Sequence, residues 1–324
     1  MARRAAGFAA AIVALHAAGL VLLVHYAAQS PALVGLGVLA YTFGLRHAFD
    51  ADHIAAIDNT TRKLVDRKPL GVGFFFSLGH STVVFALATG LGLATASVKQ
   101  SIPSFQHWGG LVGTGVSGTF LVAIGVLNLL VLVDVVGIFA SMRREPLDEA
   151  RLEQRLLDRG LMSRGVLRRI GDRIHSSWQM YPLGFLFGLG FDTATEVGLL
   201  ALSAGRAGRH LPFLAVLSLP LLFAAGMSLL DTIDGAFMAH AYGWAFASPV
   251  RKVYYNITVT ALSVTVALGI GGLELLQLAA QRTWLDLSSA GYLVLGLFVA
   301  TWAASALIWK AGAGRFARPA PVRD

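Results

Sequence analysis

The chain has 324 residues, 56% of them hydrophobic and 14% charged, well below the roughly 25% charged residues of typical soluble domains. It has no cysteine, which excludes disulfides, thiolate metal sites and thiol redox chemistry, so imidazole nitrogen and oxygen are the expected metal ligands. The net charge of +8 and the pI near 10.1 do not indicate nucleic-acid binding, because the basic residues lie between apolar runs and report membrane topology.

Apolar runs of about 20 residues, enough for a helix to cross a bilayer, recur along the chain. They predict an all-α integral membrane protein of about eight transmembrane helices, forming a single polytopic domain over residues 1–324. The first run is longer than the apolar core of a signal peptide, so it counts as a helix. The predicted helices span residues 7–27, 33–55, 70–94, 111–140, 182–204, 211–236, 253–276 and 289–310.

The distribution of lysine and arginine predicts that both termini are cytoplasmic. If the N-terminus is inside, the basic residues in outside segments are Lys99, Arg206, Arg209 and Arg282. Arg46 lies within the second predicted helix, and all other basic residues lie in cytoplasmic segments, as the positive-inside rule requires. The long polar segment 142–180 is then a cytoplasmic loop, interpreted as a solvated linker that touches anionic lipid headgroups.

Two parts of the sequence are weakly related. Residues 43–50 (FGLRHAFD) in predicted helix 2 resemble residues 187–192 (FGLGFD) in predicted helix 5. The following helices continue with the related triplets 79–81 (GHS) and 226–228 (GMS). Because predicted helices 2 and 5 run in opposite directions, the pattern predicts an inverted repeat relating helices 2–3 to helices 5–6, as in many transporters.

Predicted helix 2 is dense in ionisable residues, since its segment 46–53 reads RHAFDADH. Ionisable groups cost several kcal/mol in hydrocarbon and therefore mark functional positions. Imidazoles and carboxylates together suit nickel, cobalt, zinc or manganese. On a regular helix His47, Asp50 and His53 share one face, whereas Asp52 projects to the other side. Either the helix is distorted here, or Asp52 has a different role from the other three.

Further polar residues in predicted helices 3, 5 and 6 lie at compatible depths, with His80 roughly 15 Å from the cytoplasmic end of its helix. These helices contain more carboxylates than cationic side chains. A bound cation explains that surplus better than ion pairs that only hold the helices together. The residues are His80 in helix 3, Asp192, Thr195 and Glu196 in helix 5, and Met227, Asp231 and Asp234 in helix 6.

These motifs resemble those of the nickel/cobalt transporter family of high-affinity permeases. The family signature in helix 2 is a histidine, four residues and then Asp-His, which residues 47–53 match. Residues 78–84, 189–196 and 226–232 resemble further blocks of the family in the same order. The resemblance covers nearly the whole chain. It implies eight helices with both ends cytoplasmic and a helix 2 motif that is essential for selecting Ni²⁺ or Co²⁺.

We therefore expect a secondary transporter or permease, not an enzyme, that takes up Ni²⁺ and/or Co²⁺ through the cytoplasmic membrane without a prosthetic group. Its expected partners are these ions and the lipid bilayer, with no nucleic acid and no ATPase subunit, since no Walker A motif is present. Two alternatives stay open: efflux of the same ions, and an intramembrane zinc hydrolase.

The expected roles divide the polar residues into two groups. The expected metal-binding residues are His47, Asp50, Asp52, His53 and His80. The residues expected to line the transport path or to support the site are Arg46, Asp192, Thr195, Glu196, Met227, Asp231 and Asp234.

Overall fold

A computed structural model of the chain describes residues 2–28, 30–67, 69–93, 111–112, 114–130, 132–133, 136–137, 175–189, 212–245, 249–280 and 290–316. Over these ranges the regular structure is helical and contains no strand. The predicted all-α class is therefore confirmed for this part of the chain. Asp192, Thr195 and Glu196 lie outside these ranges, as does most of the predicted loop 142–180.

The helices before residue 94 are α1 (Ala2–Ala27), α2 (Ala32–His47), α3 (Ala51–Lys63) and α4 (Val72–Leu93). A short 3₁₀ turn, Val65–Arg67, joins α3 to α4. The later helices are α5 (Thr114–Leu130), α6 (Met180–Phe187), α7 (Phe213–Ala245), α8 (Pro249–Ala280) and α9 (Ala290–Phe316).

The described helices identify a multi-pass membrane protein. Four segments are long and apolar enough to cross a membrane: Ala5–Ala27, Val72–Gly90, Phe213–Trp244 and Ile257–Ala280. The bent pair α2 and α3 is a fifth candidate if its two parts form one span. Helix α5 and residues Tyr292–Ala304 of α9 are apolar but shorter. Eight spans, with both termini in the cytoplasm, remain a prediction.

The second predicted helix is broken in the middle. Helix α2 ends at His47 and α3 begins at Ala51, and the two axes are bent by 51°. Between them Asp50 has an extended backbone, with φ of −65° and ψ of 140°. Side-chain contacts favour the break: the Asp50 carboxylate contacts the His47 imidazole, and Asp52 accepts a hydrogen bond from the backbone N–H of His53. The expectation of one regular helix over 33–55 is wrong, and the distorted alternative is observed.

Helix α7 is central to the packing and contacts α1, α2, α3 and α4. Among the other helices, α6 packs against α4, and α8 packs against α3 and α9. In a bilayer such contacts depend on close van der Waals packing, because lipid tails are as apolar as the side chains that they replace. The arrangement places the last turn of α2 and the first turn of α3 next to the middle of α4 and α7.

Two helix pairs approach each other closely at glycines. Gly44 of α2 lies against the backbone of Phe223 in α7, and Gly184 of α6 lies against the backbone of Phe76 in α4. A Cβ atom at either glycine would overlap the carbonyl group of that phenylalanine. The partner helices contribute a glycine in the same way. Gly226 of α7 lies against Tyr41 and Leu45 of α2, and Gly79 of α4 lies against Tyr181 and Phe185 of α6. The pairs α2–α7 and α6–α4 therefore meet through corresponding positions.

Candidate metal centre

Three buried imidazoles converge where α2, α3 and α4 meet. His47 is the last residue of α2, His53 lies in the first turn of α3, and His80 lies in the middle of α4. One ring nitrogen from each lies within 4.8 Å of the others, and the three residues are 3%, 1% and 1% exposed. Nε2 of His47 is 3.1 Å from Nε2 of His80. The three rings thus surround one small volume that a metal ion can share.

The break between α2 and α3 produces this convergence. Six residues of regular helix would separate His47 from His53 by about 9 Å along the axis. In the bent segment the centroids of their rings are only 4.8 Å apart. The centroid of the His80 ring is 4.7 Å from that of His47 and 4.8 Å from that of His53. The local distortion, more than the helical repeat, therefore brings the sequence-predicted histidines together.

Two carboxylates lie beside the Nδ1 atoms of two of the imidazoles. Oδ2 of Asp50 is 2.9 Å from Nδ1 of His47, and Oδ2 of Asp231 is 3.4 Å from Nδ1 of His53. A carboxylate beside Nδ1 favours the tautomer with the proton on that atom and leaves the Nε2 lone pair for a metal. Nε2 of His53 is fully buried and has no hydrogen-bond partner in the described ranges. The geometry therefore gives Asp50 and Asp231 an orienting position beside the imidazoles.

Replacing Asp50 with asparagine tests this orienting position. Asparagine keeps the size and the acceptor oxygen but removes the negative charge that favours Nδ1 protonation of His47. We expect nickel affinity of the purified protein to fall roughly 10- to 100-fold, the usual cost of losing a partner of a metal-bound histidine. Equilibrium dialysis with radioactive nickel measures the change. If both Asp50→Asn and Asp50→Ala bind nickel with the affinity of the wild type, Asp50 does not orient His47.

Asp52 has contacts away from the three imidazoles. Its Oδ1 accepts a 2.9 Å hydrogen bond from the backbone N–H of His53, and its Oδ2 lies 3.5 Å from the Ser117 hydroxyl of α5. Its carboxylate thus accepts from a backbone N–H in the first turn of α3 and contacts α5. The structure brings His47, His53 and His80 together without Asp52, so direct binding of metal by Asp52 stays a prediction.

The residues expected along the path lie at several positions. Met227 is fully buried and packs in an apolar cluster with Ala48, next to the helix break. Asp231 is also fully buried, while Asp234 lies one turn further along α7 with both carboxyl oxygens inaccessible. Arg46 is half-buried at the end of α2.

Sequence analysis missed a second buried polar group, centred on Asp58 of α3. Its carboxylate accepts hydrogen bonds from the hydroxyl groups of Tyr242 (2.5 Å) and Ser263 (2.6 Å). Arg62, one turn later, donates to the Thr260 hydroxyl. The predicted helix ends at residue 55 and leaves these residues in or near a loop, whereas the structure buries Asp58 completely. The available signal was a helix-compatible, polar run (DNTTRK) that follows the metal motif after four intervening residues.

Buried imidazoles with adjacent carboxylates, among helices long and apolar enough to cross a membrane, define a class: helical membrane proteins with groups suited to transition metals in their interior. The chain belongs within that class to the high-affinity nickel-transport protein family (NicO), whose profile matches residues 33–308. This confirms the family resemblance that the sequence motifs indicated. No solved structure is similar enough to match the chain.

Several proteins named as metal transporters are similar to the chain over most of its length. The nickel transporter NicT of Mycobacterium tuberculosis is 56% identical, over 94% of this chain and 88% of its own. The nickel transporter NixA of Staphylococcus aureus is 52% identical, over 94% of both chains. The cobalt transport protein NhlF of Rhodococcus rhodochrous is 44% identical, over 94% of this chain and 92% of its own.

Proposed function

We propose that the protein transports Ni²⁺ and/or Co²⁺ into the cell across the cytoplasmic membrane, as a secondary transporter or permease. The observation that carries the proposal is the convergence of His47, His53 and His80 inside a bundle of membrane helices. Imidazole nitrogen suits both ions. Similarity to proteins named as nickel and as cobalt transporters supports the same substrates. These names also weaken the zinc-hydrolase alternative.

The proposed binding site uses His47, His53 and His80 as ligands. Asp50 and Asp231 orient two of the rings, and their two negative charges balance the charge of a divalent cation. This balance matters because an uncompensated charge inside a membrane protein costs several kcal/mol. Asp52 shapes the start of α3 and remains a further candidate ligand. In this proposal the metal ion is the transported substrate, and the protein uses no prosthetic group.

Other polar residues supply the proposed route to and from this site. Arg46 acts as a counter-charge at the end of α2, and Met227 offers a soft sulfur beside the helix break. In the sequence segment after α6, three oxygen-bearing residues continue the route. They are Asp192, Thr195 and Glu196.

The membrane potential is a sufficient driving force for uptake in this proposal. A divalent cation that moves inward gains roughly 4.6 kcal/mol per 100 mV, twice the value for a single charge. This corresponds to an accumulation of more than about a thousandfold, because each 1.4 kcal/mol is a factor of ten. No ATPase partner is therefore required for concentrative uptake.

We also infer an architecture of eight spans with cytoplasmic termini and an inverted repeat. The matching glycine contacts support the repeat and give its register, because Gly44 corresponds to Gly184 and Tyr41 to Tyr181. Sequence comparison pairs Gly44 with Gly188 instead, one helical turn away. The contact-based register aligns Asp52 with Asp192 in the sequence, so both halves carry an aspartate at the same position.

Uptake of radioactive nickel by cells that express the protein tests the proposal. We expect saturable uptake above that of cells without the protein, inhibited by cobalt more strongly than by zinc, and abolished when the membrane potential is dissipated. Uptake should fall as the pH is lowered from about 7.5 to about 5, because protons compete with the metal for imidazole lone pairs. Uptake equal to that of control cells would refute the proposed function.

A further inference from the structure

Helix α3, which carries His53, and helix α7, which carries Asp231, both continue past the imidazole site and lie side by side. Contacts between α3 and α7 follow one another in the same order on both helices: His53 with Asp231, then Ile57 with Gly235, then Asp58 with Tyr242. The helices therefore run in the same direction. Residues that follow the metal site on either helix are displaced towards the same side of the membrane, which is the cytoplasmic side in the proposed topology.

Two carboxylates lie on that side of the site. At 1.5 Å per residue, Asp58 is about 7.5 Å beyond His53 along α3, and Asp234 is about 4.5 Å beyond Asp231 along α7. Asp231 and Asp58 are the charged groups that act on Asp234. A short series of carboxylates thus leads away from the imidazoles, from Asp231 through Asp234 to Asp58.

The charges in this series are unevenly compensated. Asp58 has Arg62 as a cationic neighbour and accepts hydrogen bonds from Tyr242 and Ser263. Both of the charged groups that act on Asp234 within the described ranges are acidic. Both of its carboxyl oxygens are completely buried, and neither has a hydrogen-bond partner there. A buried carboxylate without a partner is costly, so this position calls for a cation or a proton.

We propose that Asp234 and Asp58 form a second, oxygen-only site for the transported divalent cation, between the imidazole cluster and the cytoplasmic end of α3. The inference deepens the proposed transport function and rests on it. The ion leaves the imidazoles, is bound by the two carboxylates, and takes over the compensation of Asp58 from Arg62. Arg62 is already anchored by its hydrogen bond to Thr260, so it stays close and restores the pair when the ion departs.

A weaker second site would assist release. Nickel and cobalt bind imidazole nitrogen well, whereas carboxylate oxygen also accepts harder ions such as Mn²⁺. An ion that moves from three imidazoles to two carboxylates is held less tightly and exchanges more readily with cytoplasmic ligands. The competing interpretation is that Asp58 only joins α3 to α7 and α8, and that Asp234 carries a proton.

Nickel binding to the purified full-length protein in lipid nanodiscs separates the two interpretations. We compare the wild type with Asp234→Asn, Asp58→Asn and His53→Ala. Glu274→Gln is the matched control, because it neutralises a carboxylate on α8 that lies about 16 Å along the helix from Ser263. Asp234→Asn is the principal variant, since no hydrogen bond in the described ranges depends on that side chain.

We expect the wild type and Glu274→Gln to bind nickel in a tight step and a weaker step, with Mn²⁺ competing only in the weaker one. Asp234→Asn and Asp58→Asn should lose the weaker step and keep the tight one. His53→Ala should lose the tight step and keep the weaker one, which shows that the second site is independent of the imidazoles. An Asp234→Asn protein that binds nickel as the wild type does would overturn the second site, while loss of the tight step in His53→Ala would still support the proposed function.

Discussion

Substitution of His53 with alanine is expected to reduce nickel uptake to the level of cells that lack the protein. His53 is 1% exposed, and one of its ring nitrogens lies within 4.8 Å of a ring nitrogen of His47 and of His80. Removing one of three imidazoles leaves a site with too few nitrogen ligands to compete with the hydration shell of Ni²⁺ and with cellular chelators. Uptake of radioactive nickel at low concentration, at equal abundance of protein in the membrane, measures the loss.

A matched histidine on another helix provides the control. His16 of α1 is partly buried and has its own contacts, since Nδ1 lies 2.8 Å from the Ile12 carbonyl oxygen and Nε2 lies 3.3 Å from the Tyr41 hydroxyl. His16→Ala should therefore keep most of the uptake, even if the protein becomes less stable. Equal losses in His16→Ala and His53→Ala would show that histidine substitutions act through folding, and would remove the main support for the metal site.

The site was predictable from sequence because its chemistry is concentrated in short segments. Polar residues are expensive in membrane helices, so RHAFDADH stands out against its apolar surroundings and directs attention to His47 and His53. His80 is less distinctive, since a single histidine within an apolar helix is commonly structural. Its depth in the predicted helix made it an expected metal-binding residue, and the folded arrangement supports that expectation, since its Nε2 lies 3.1 Å from that of His47.

The helix break was harder to predict than the ligands. Residues 48–50 contain neither glycine nor proline, so the local sequence lacks the usual signals for a helix end. The contact between Asp50 and His47 accompanies the break, but residues three apart also meet on a regular helix, so this pair does not predict a break. Helical periodicity correctly indicated that Asp52 could not join the others on a regular helix, but it could not decide between distortion and a separate role.

Asp58 was missed because the predicted helix ended too early. A transmembrane helix is recognised by its apolar length, and the polar run after Ile57 looks like the start of a cytoplasmic loop. In the structure α3 continues to Lys63, and contacts from α7 and α8 satisfy the buried Asp58. Such contacts link residues more than 180 positions apart in the chain, which no local pattern reveals.

Alanine at Gly44 is expected to destabilise the protein strongly, whereas alanine at Gly35 of the same helix should not. The added Cβ at Gly44 would overlap the carbonyl group of Phe223, so α2 and α7 must move apart. Overpacking of this kind costs about 1–3 kcal/mol, and more where backbone must shift. At Gly35 nothing lies within 4 Å, and alanine should favour the helix by up to about 1 kcal/mol. Thermal unfolding of the purified proteins measures both effects.

The corresponding pair in the other half of the protein extends this test to the proposed repeat. Gly184→Ala should be destabilising to a similar degree, because its Cβ would overlap the carbonyl group of Phe76, and Gly90→Ala on α4 serves as its open-space control. Nickel affinity should respond as well: Gly44 lies one turn before His47 in α2, and Gly79, which contacts α6, directly precedes His80 in α4. Displacement of either helix therefore moves an imidazole. If Gly44→Ala and Gly184→Ala unfold at the same temperature as their controls, the close contacts do not hold the helices in place, and the matching register loses its physical basis.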